Sequence, residues 1–170
     1  MKWLPWTAFL LSALAHSEIE IKASQMHYRW GSNASFPLTA YQVGYTEYLN
    51  NYGFRILGGE SDTKTNTVGG IYQQETQKMK RFFVGNIHKR FIWPKGFSSQ
   101  IGINYTEYQS CSDSYGCNAD TGIGYGIALQ KRISQEYAVK LSYDDLYRKQ
   151  HKVLGKEITR SVAISLVVGL

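Results

Sequence analysis

The sequence predicts an all-β protein: an eight-stranded antiparallel up-and-down transmembrane β-barrel preceded by a signal peptide. Three observations carry that expectation. The closing stretch, residues 157–170, alternates strictly, with Ile158, Val162, Ile164, Leu166, Val168 and Leu170 on one face and Glu157, Thr159, Ser161, Ala163, Ser165, Val167 and Gly169 on the other, Arg160 alone breaking the apolar set. A period of two with unlike faces is the pattern of a β-strand. Short turns and longer polar loops alternate along the chain. The first fifteen residues have the build of an export signal.

That leader places Lys2 before an apolar run through Leu11, with Ala13 and Ala15 flanking Leu14. This is the arrangement of a secretory signal peptide with an A-x-A cleavage site. The run meets His16, Ser17 and Glu18 too early for a spanning helix, which needs about 20 apolar residues. The expected organisation is a signal peptide over 1–15 and one barrel domain over 16–170. Nothing after Ala15 is long and apolar enough for a helical span, whereas barrels conceal themselves in a hydropathy average because their faces alternate. The thirteen tyrosines suit both strands and membrane interfaces, where the ring is buried and the hydroxyl wet.

Strand one, 18–30, opens with Ile19, Ile21 and Ala23 against Glu20, Lys22 and Ser24. Its parity then slips, so either a bulge lies near Ser24-Gln25 or Met26, Tyr28 and Trp30 point inward. Strand two, 38–49, sets Tyr41, Val43, Tyr45 and Leu49 against Ala40, Gln42, Gly44, Thr46 and Tyr48. Strand three runs from 52 to about 59. Strand four, 79–93, is expected to turn Phe83, Gly85, Ile87 and Phe91 outward, and Val84, Asn86, His88 and Arg90 inward. Strand five, 97–108, opposes Ile101, Ile103 and Tyr105 to Gln100, Gly102, Asn104 and Thr106. In strand six, Ile123, Tyr125, Ile127 and Leu129 alternate with Gly122, Gly124, Gly126, Ala128 and Gln130, an inner face with almost no side chain. Strand seven places Tyr137, Val139, Leu141, Tyr143 and Tyr147 opposite Lys140, Ser142 and Asp144, and 157–170 is strand eight.

Short turns fall at 50–53, 93–96 and 133–136, and longer loops at 31–37, 60–78, 109–119 and 148–155. Tight periplasmic turns, longer external loops and both chain ends periplasmic are the outer-membrane layout. The rival, a soluble lipocalin-like barrel, would turn the apolar set into its cavity. The inner sets here hold Gly, Ala, Ser, Gln and charges, which suit a polar lumen, so a charge added at Ser165 is expected to meet polar groups and one at Leu166 hydrocarbon.

On this layout, and on the strands T-G-I-G-Y-G-I-A-L-Q and S-V-A-I-S-L-V-V-G-L, the chain resembles the OmpA/OmpX-type transmembrane domain of the small outer-membrane barrels of Gram-negative bacteria. The resemblance implies residence in the cell outer membrane, insertion by the barrel assembly machinery, and a monomer. Such barrels usually end in Phe or Trp; this chain ends in Leu170.

Four sets of residues stand out. Cys111 and Cys117, in one external loop of an exported chain, are expected to form a disulfide, and two cysteines without nearby histidines do not make a metal site. Without its leader the chain has 18 Lys+Arg against 13 Asp+Glu, a balance of +5, which points to an anionic partner. With no basic helix or binding motif, nucleic acid is not expected. Lys78, Lys80, Arg81, Arg148, Lys149, Lys152, Lys156 and Arg160 lie at the outer end, where they are suited to lipopolysaccharide phosphates. Inside, Glu20, Lys22, Arg55, His88, Arg90, Lys140 and Asp144 are expected to form a static polar plug, since eight strands enclose only enough room for side chains. Neither cofactor nor metal is expected. Catalysis of the lipid A hydrolase kind would need a Ser–His–acid set; His27 and Ser161 are the nearest approach, and parity turns Ser161 inward. The expected role is therefore a non-enzymatic barrel with surface loops, the alternatives being a lipid A-modifying enzyme or a narrow channel.

Overall fold

The computed structural model describes residues 17–30, 34–68, 73–112, 116–151 and 155–170; the expected signal peptide over 1–15 lies outside the described residues. Nine strands form one antiparallel sheet: β1 (Ser17–Trp30), β2 (Ala34–Leu49), β3 (Tyr52–Ser61), β4 (Thr63–Val68), β5 (Gln73–Trp93), β6 (Phe97–Ser112), β7 (Gly116–Arg132), β8 (Tyr137–His151) and β9 (Gly155–Gly169). β3 and β4 both pair with β5, one beyond the other, so the nine segments fill eight positions. β1 pairs with β9 from Glu18↔Gly169 to Arg29↔Ile158, which closes the cylinder and removes both sheet edges. Leu170 donates its backbone N–H to the Ser17 carbonyl at 2.9 Å, tying the last residue to the first strand.

The strands extend further outward than the alternation indicates. β2 starts at Ala34, β4 and the first part of β5 occupy the expected 60–78 loop, and β6 and β7 run on to Ser112 and from Gly116. The reason is physical. Beyond the bilayer both faces of a hairpin are wet, so the unlike-face signal vanishes while the backbone groups still pair. At the opposite end the connections are tight. Asn50 takes a left-handed φ of 57°, which asparagine tolerates, and Pro94–Gly96 form a single 3-10 turn.

Outside, the wall is greasy. Ile21, Val43, Ile56, Ile87, Ile103, Ile123, Ile127, Leu141 and Ile164 all stand exposed, a contiguous apolar surface far beyond what a water-facing monomer displays. Exposed aromatic residues flank it: Tyr41, Tyr105 and Tyr125 towards the loops, and Tyr52, Phe91, Trp93, Phe97 and Tyr137 towards the short turns. An apolar band between aromatic girdles is the pattern of a wall in a bilayer.

Two bulges reset the parity. One lies between Met79 and Arg81 in β5, turning Met79 inward while Lys80 and Arg81 are both exposed. The other lies between Asp145 and Tyr147 in β8. It pairs Tyr147, assigned by alternation to the outer set, with Thr159 in register; the side chain of Tyr147 lies outside the described ones. β1 has no bulge, since its register with both neighbours is unbroken; Met26 simply points inward and is fully buried. The side chains at 28 and 30 lie outside the described ones.

The interior also departs from the uniformly polar lining that the alternation suggested. Its loop-end half is an apolar cluster of Met26, Leu38, Ala40, Leu57, Met79, Phe82, Val84, Tyr108 and Leu146, all buried. The short-turn half is polar. The lumen is thus occupied by two stoppers of opposite chemistry, one above the other.

Candidate functional site

The polar half of the lumen is assembled around three carboxylates. Glu20, entirely buried, accepts from Lys140 Nζ, from Ser165 Oγ at 2.6 Å and from Arg55 Nη1 at 3.5 Å. Asp144 pairs with Lys22 Nζ at 2.6 Å and Arg55 Nη2 at 3.6 Å, and accepts from Asn104 at 3.3 Å and Ser142 at 3.4 Å. Arg55 therefore bridges two anions. Glu18 accepts from Tyr48 Oη at 3.0 Å, Gln130 at 3.2 Å and Arg90 at 3.4 Å, and Arg90 lies 4.7 Å from the centre of the Tyr48 ring.

The alternation predicted the inward direction of Glu20, Lys22, Arg55, His88, Arg90, Lys140 and Asp144, and the structure brings five of these seven, Glu20, Lys22, Arg55, Lys140 and Asp144, into one ionic network, while Arg90 pairs separately with Glu18. His88 stands slightly apart, its Nδ1 2.6 Å from Asn86 Oδ1, with Asn86 donating onward to Asn104 at 2.7 Å. Sequence reasoning missed the second cluster, in which Glu18, Tyr48 and Gln130 join Arg90 and Gln100 donates to both Tyr48 and Gln130 at 3.1 Å. The signal for Glu18 was available, because it shares the parity of Glu20 and Lys22. With it, three carboxylates face Lys22, Arg55, Arg90 and Lys140, so the charge is nearly balanced. A buried charge is tolerable only when paired and hydrogen-bonded in this way.

The bare inner face of β7 now has a cause. A Cβ on Gly126 would run into Asp144 Oδ1 and lie 3.1 Å from Asn104 Nδ2, and one on Gly124 would strike the Asp145 carbonyl. The glycines make room for the carboxylate that holds Lys22 and Arg55, and for close approach of β8.

At the loop end, Lys80, Arg81 and Arg160 are exposed on the outside of the wall. Lys78 sits nearby and shares an exposed ion pair with Glu60 at 3.6 Å. The side chains of Arg148, Lys149 and Lys156, and the whole of Lys152, lie outside the described residues. Cys111 and Cys117 face each other across the β6–β7 ladder and are joined by a disulfide, their Cα atoms 4.0 Å apart. His27 is exposed outside, next to Arg160 in register, whereas Ser161 is buried inside. The wall of the barrel separates them, so they cannot form a nucleophile–base pair.

No protein-family description and no curated protein sequence matches the chain. Solved structures do. Neisserial surface protein A superposes with a TM-score of 0.66 at 10% identity, over 91% of this chain and 97% of that one. Ail, the attachment invasion locus protein of Yersinia pestis, solved in complex with the heparin analogue sucrose octasulfate, gives 0.59 at 12% identity, over 89% and 97%. The outer membrane protein AlkL, solved in lipid bilayers, gives 0.58 at 6% identity, over 92% and 90%. At these identities the likeness is one of fold, that of small eight-stranded outer-membrane barrels.

Proposed function

We propose that this chain, an eight-stranded outer-membrane barrel, is a sealed, non-enzymatic scaffold that carries surface loops and grips the lipopolysaccharide around it through outward-facing cations at its loop end. The observation that carries this reading is the β5 bulge, which sets Lys80 and Arg81 side by side on the exterior. Two adjacent cations on a lipid-facing surface are suited to charge-assisted bonds with phosphate. Lys78, and Arg160 elsewhere on the circumference, extend the same rim. The sulfated sugar held by Ail, a barrel of the same fold, is consistent with a polyanion at such a surface.

Membrane residence follows from the exposed apolar band; the buried side chains that occupy both halves of the lumen support a passive role over a channel, and the separation of His27 from Ser161 removes the nearest catalytic pair. The test is to refold the barrel and titrate it with lipopolysaccharide, scoring resistance of the folded form to heat on unboiled gels. Wild type should gain resistance, and Lys80→Gln/Arg81→Gln should gain much less while folding equally well. Equal gain in both would remove the rim from the proposal. Planar-bilayer recordings decide the channel alternative, because large, stable conductance steps would show that the stoppers do not seal.

A further inference from the structure

The short-turn end of the wall carries a second cationic set, unrelated to the loop-end rim and confined to the sector β3–β5–β6–β7. On the outer face Lys89 Nζ lies 5.9 Å from the centre of the Tyr52 ring and 5.4 Å from that of Phe91. Across β6, Lys131 Nζ lies 4.2 Å from the Phe97 ring and donates to the Lys95 carbonyl in the adjoining turn. Among the described residues, neither lysine has a carboxylate partner. Elsewhere around this end, Ile19, Tyr45, Tyr137, Val168 and Leu170 offer no cation.

Immediately towards the middle of the membrane from Phe97 and Lys131, the wall is hollowed. A groove of about 760 Å³ runs between Phe91 and Trp93 on one side and Leu129 and Leu141 on the other. Its floor is low because Ser99 faces outward where neighbouring positions carry large side chains, and Trp93 Nε1 donates to Ser99 Oγ at 2.9 Å, fixing the indole as one wall. Cations on aromatic supports at the interface, next to an apolar channel running into the bilayer, match the two ends of a lipid. We infer that this sector is a binding site for one anionic phospholipid of the periplasmic leaflet, its headgroup drawn to Lys131 beside the groove, with Lys89 on the far side of β6 adding to the same cationic field, and an acyl chain in the Ser99 groove. The charge complementarity selects an anionic headgroup over a zwitterionic one, which brings its own cation.

The site depends only on the membrane-spanning wall, so it stands or falls separately from the lipopolysaccharide rim at the other end. The experiment is native mass spectrometry of the folded barrel in detergent with equimolar phosphatidylglycerol and phosphatidylcholine of identical chains. Wild type should retain one phosphatidylglycerol in preference, by about fivefold for each lysine engaged. Lys89→Gln/Lys131→Gln should bring the two lipids to parity, whereas Lys89→Arg/Lys131→Arg should keep the preference and shows that the fold tolerates change there. Ser99→Leu, which fills the groove, should lower retention of both lipids. Lys80→Gln/Arg81→Gln should leave the preference intact. Equal retention of the two lipids by wild type, or loss of preference in the loop-end variant as large as in the lysine pair, would overturn the site.

Discussion

Replacing Glu20 by Gln tests whether the polar stopper is held by its charges. Glu20 takes Lys140, Arg55 and Ser165 in a position with no solvent exposure. The polar half of the lumen carries four cations, Lys22, Arg55, Arg90 and Lys140, against three carboxylates, Glu18, Glu20 and Asp144, a balance of +1. Glu20→Gln raises it to +2 and leaves the Lys140 ammonium without an anion. Breaking a buried pair from one side costs about 3–5 kcal/mol, a shift on the order of 2 M in the urea midpoint at the usual slopes. Glu20→Gln/Lys140→Met returns the balance to +1 and removes the orphaned cation, so much of the loss should be recovered. Glu60→Gln is the control, because its pair with Lys78 is exposed and such pairs contribute about 0–1 kcal/mol. The assay is urea unfolding in thin bilayers, followed by tryptophan fluorescence and by gel mobility. The reasoning is refuted if Glu20→Gln stays within about 1 kcal/mol of wild type, or if the double variant is no more stable than the single one; non-additivity between neighbours is the expected sign of coupling.

Leu166→Arg puts a charge on the lipid-facing wall and should cost about 2–4 kcal/mol in the same unfolding assay. Ser165→Arg, expected from sequence to be the milder change, should be no milder: Ser165 is buried with Lys22 and Lys140 as its neighbours in register, so a third cation there is both crowded and repelled. Gly126→Val should destabilise by about 1–3 kcal/mol through overpacking against Asp144. Gly58→Ala, whose Cβ would meet nothing within 4 Å, should stay within about 0.5 kcal/mol of wild type, and equal effects at the two glycines would contradict the room-making role of β7.

The sequence by itself determined the cylinder. Period-two alternation in β9 and β7 marked which side faces lipid, and the spacing of tight turns set the number of strand positions, because a membrane wall enforces one rule at every residue it contacts. It also assigned Glu20, Lys22, Arg55, Lys140 and Asp144 to the interior. Only the tertiary structure decided which of them meet. Glu20 and Lys140 are 120 residues apart, and their contact depends on the stagger between β1, β9 and β8, which alternation cannot encode. The two bulges were equally illegible, since one extra residue on one strand shows only against its partner. The loop-end apolar stopper was hidden for a related reason: Leu57, Phe82 and Leu146 are as greasy as the residues that face lipid, and hydrophobicity alone does not separate the inside of a dry lumen from the outside of its wall.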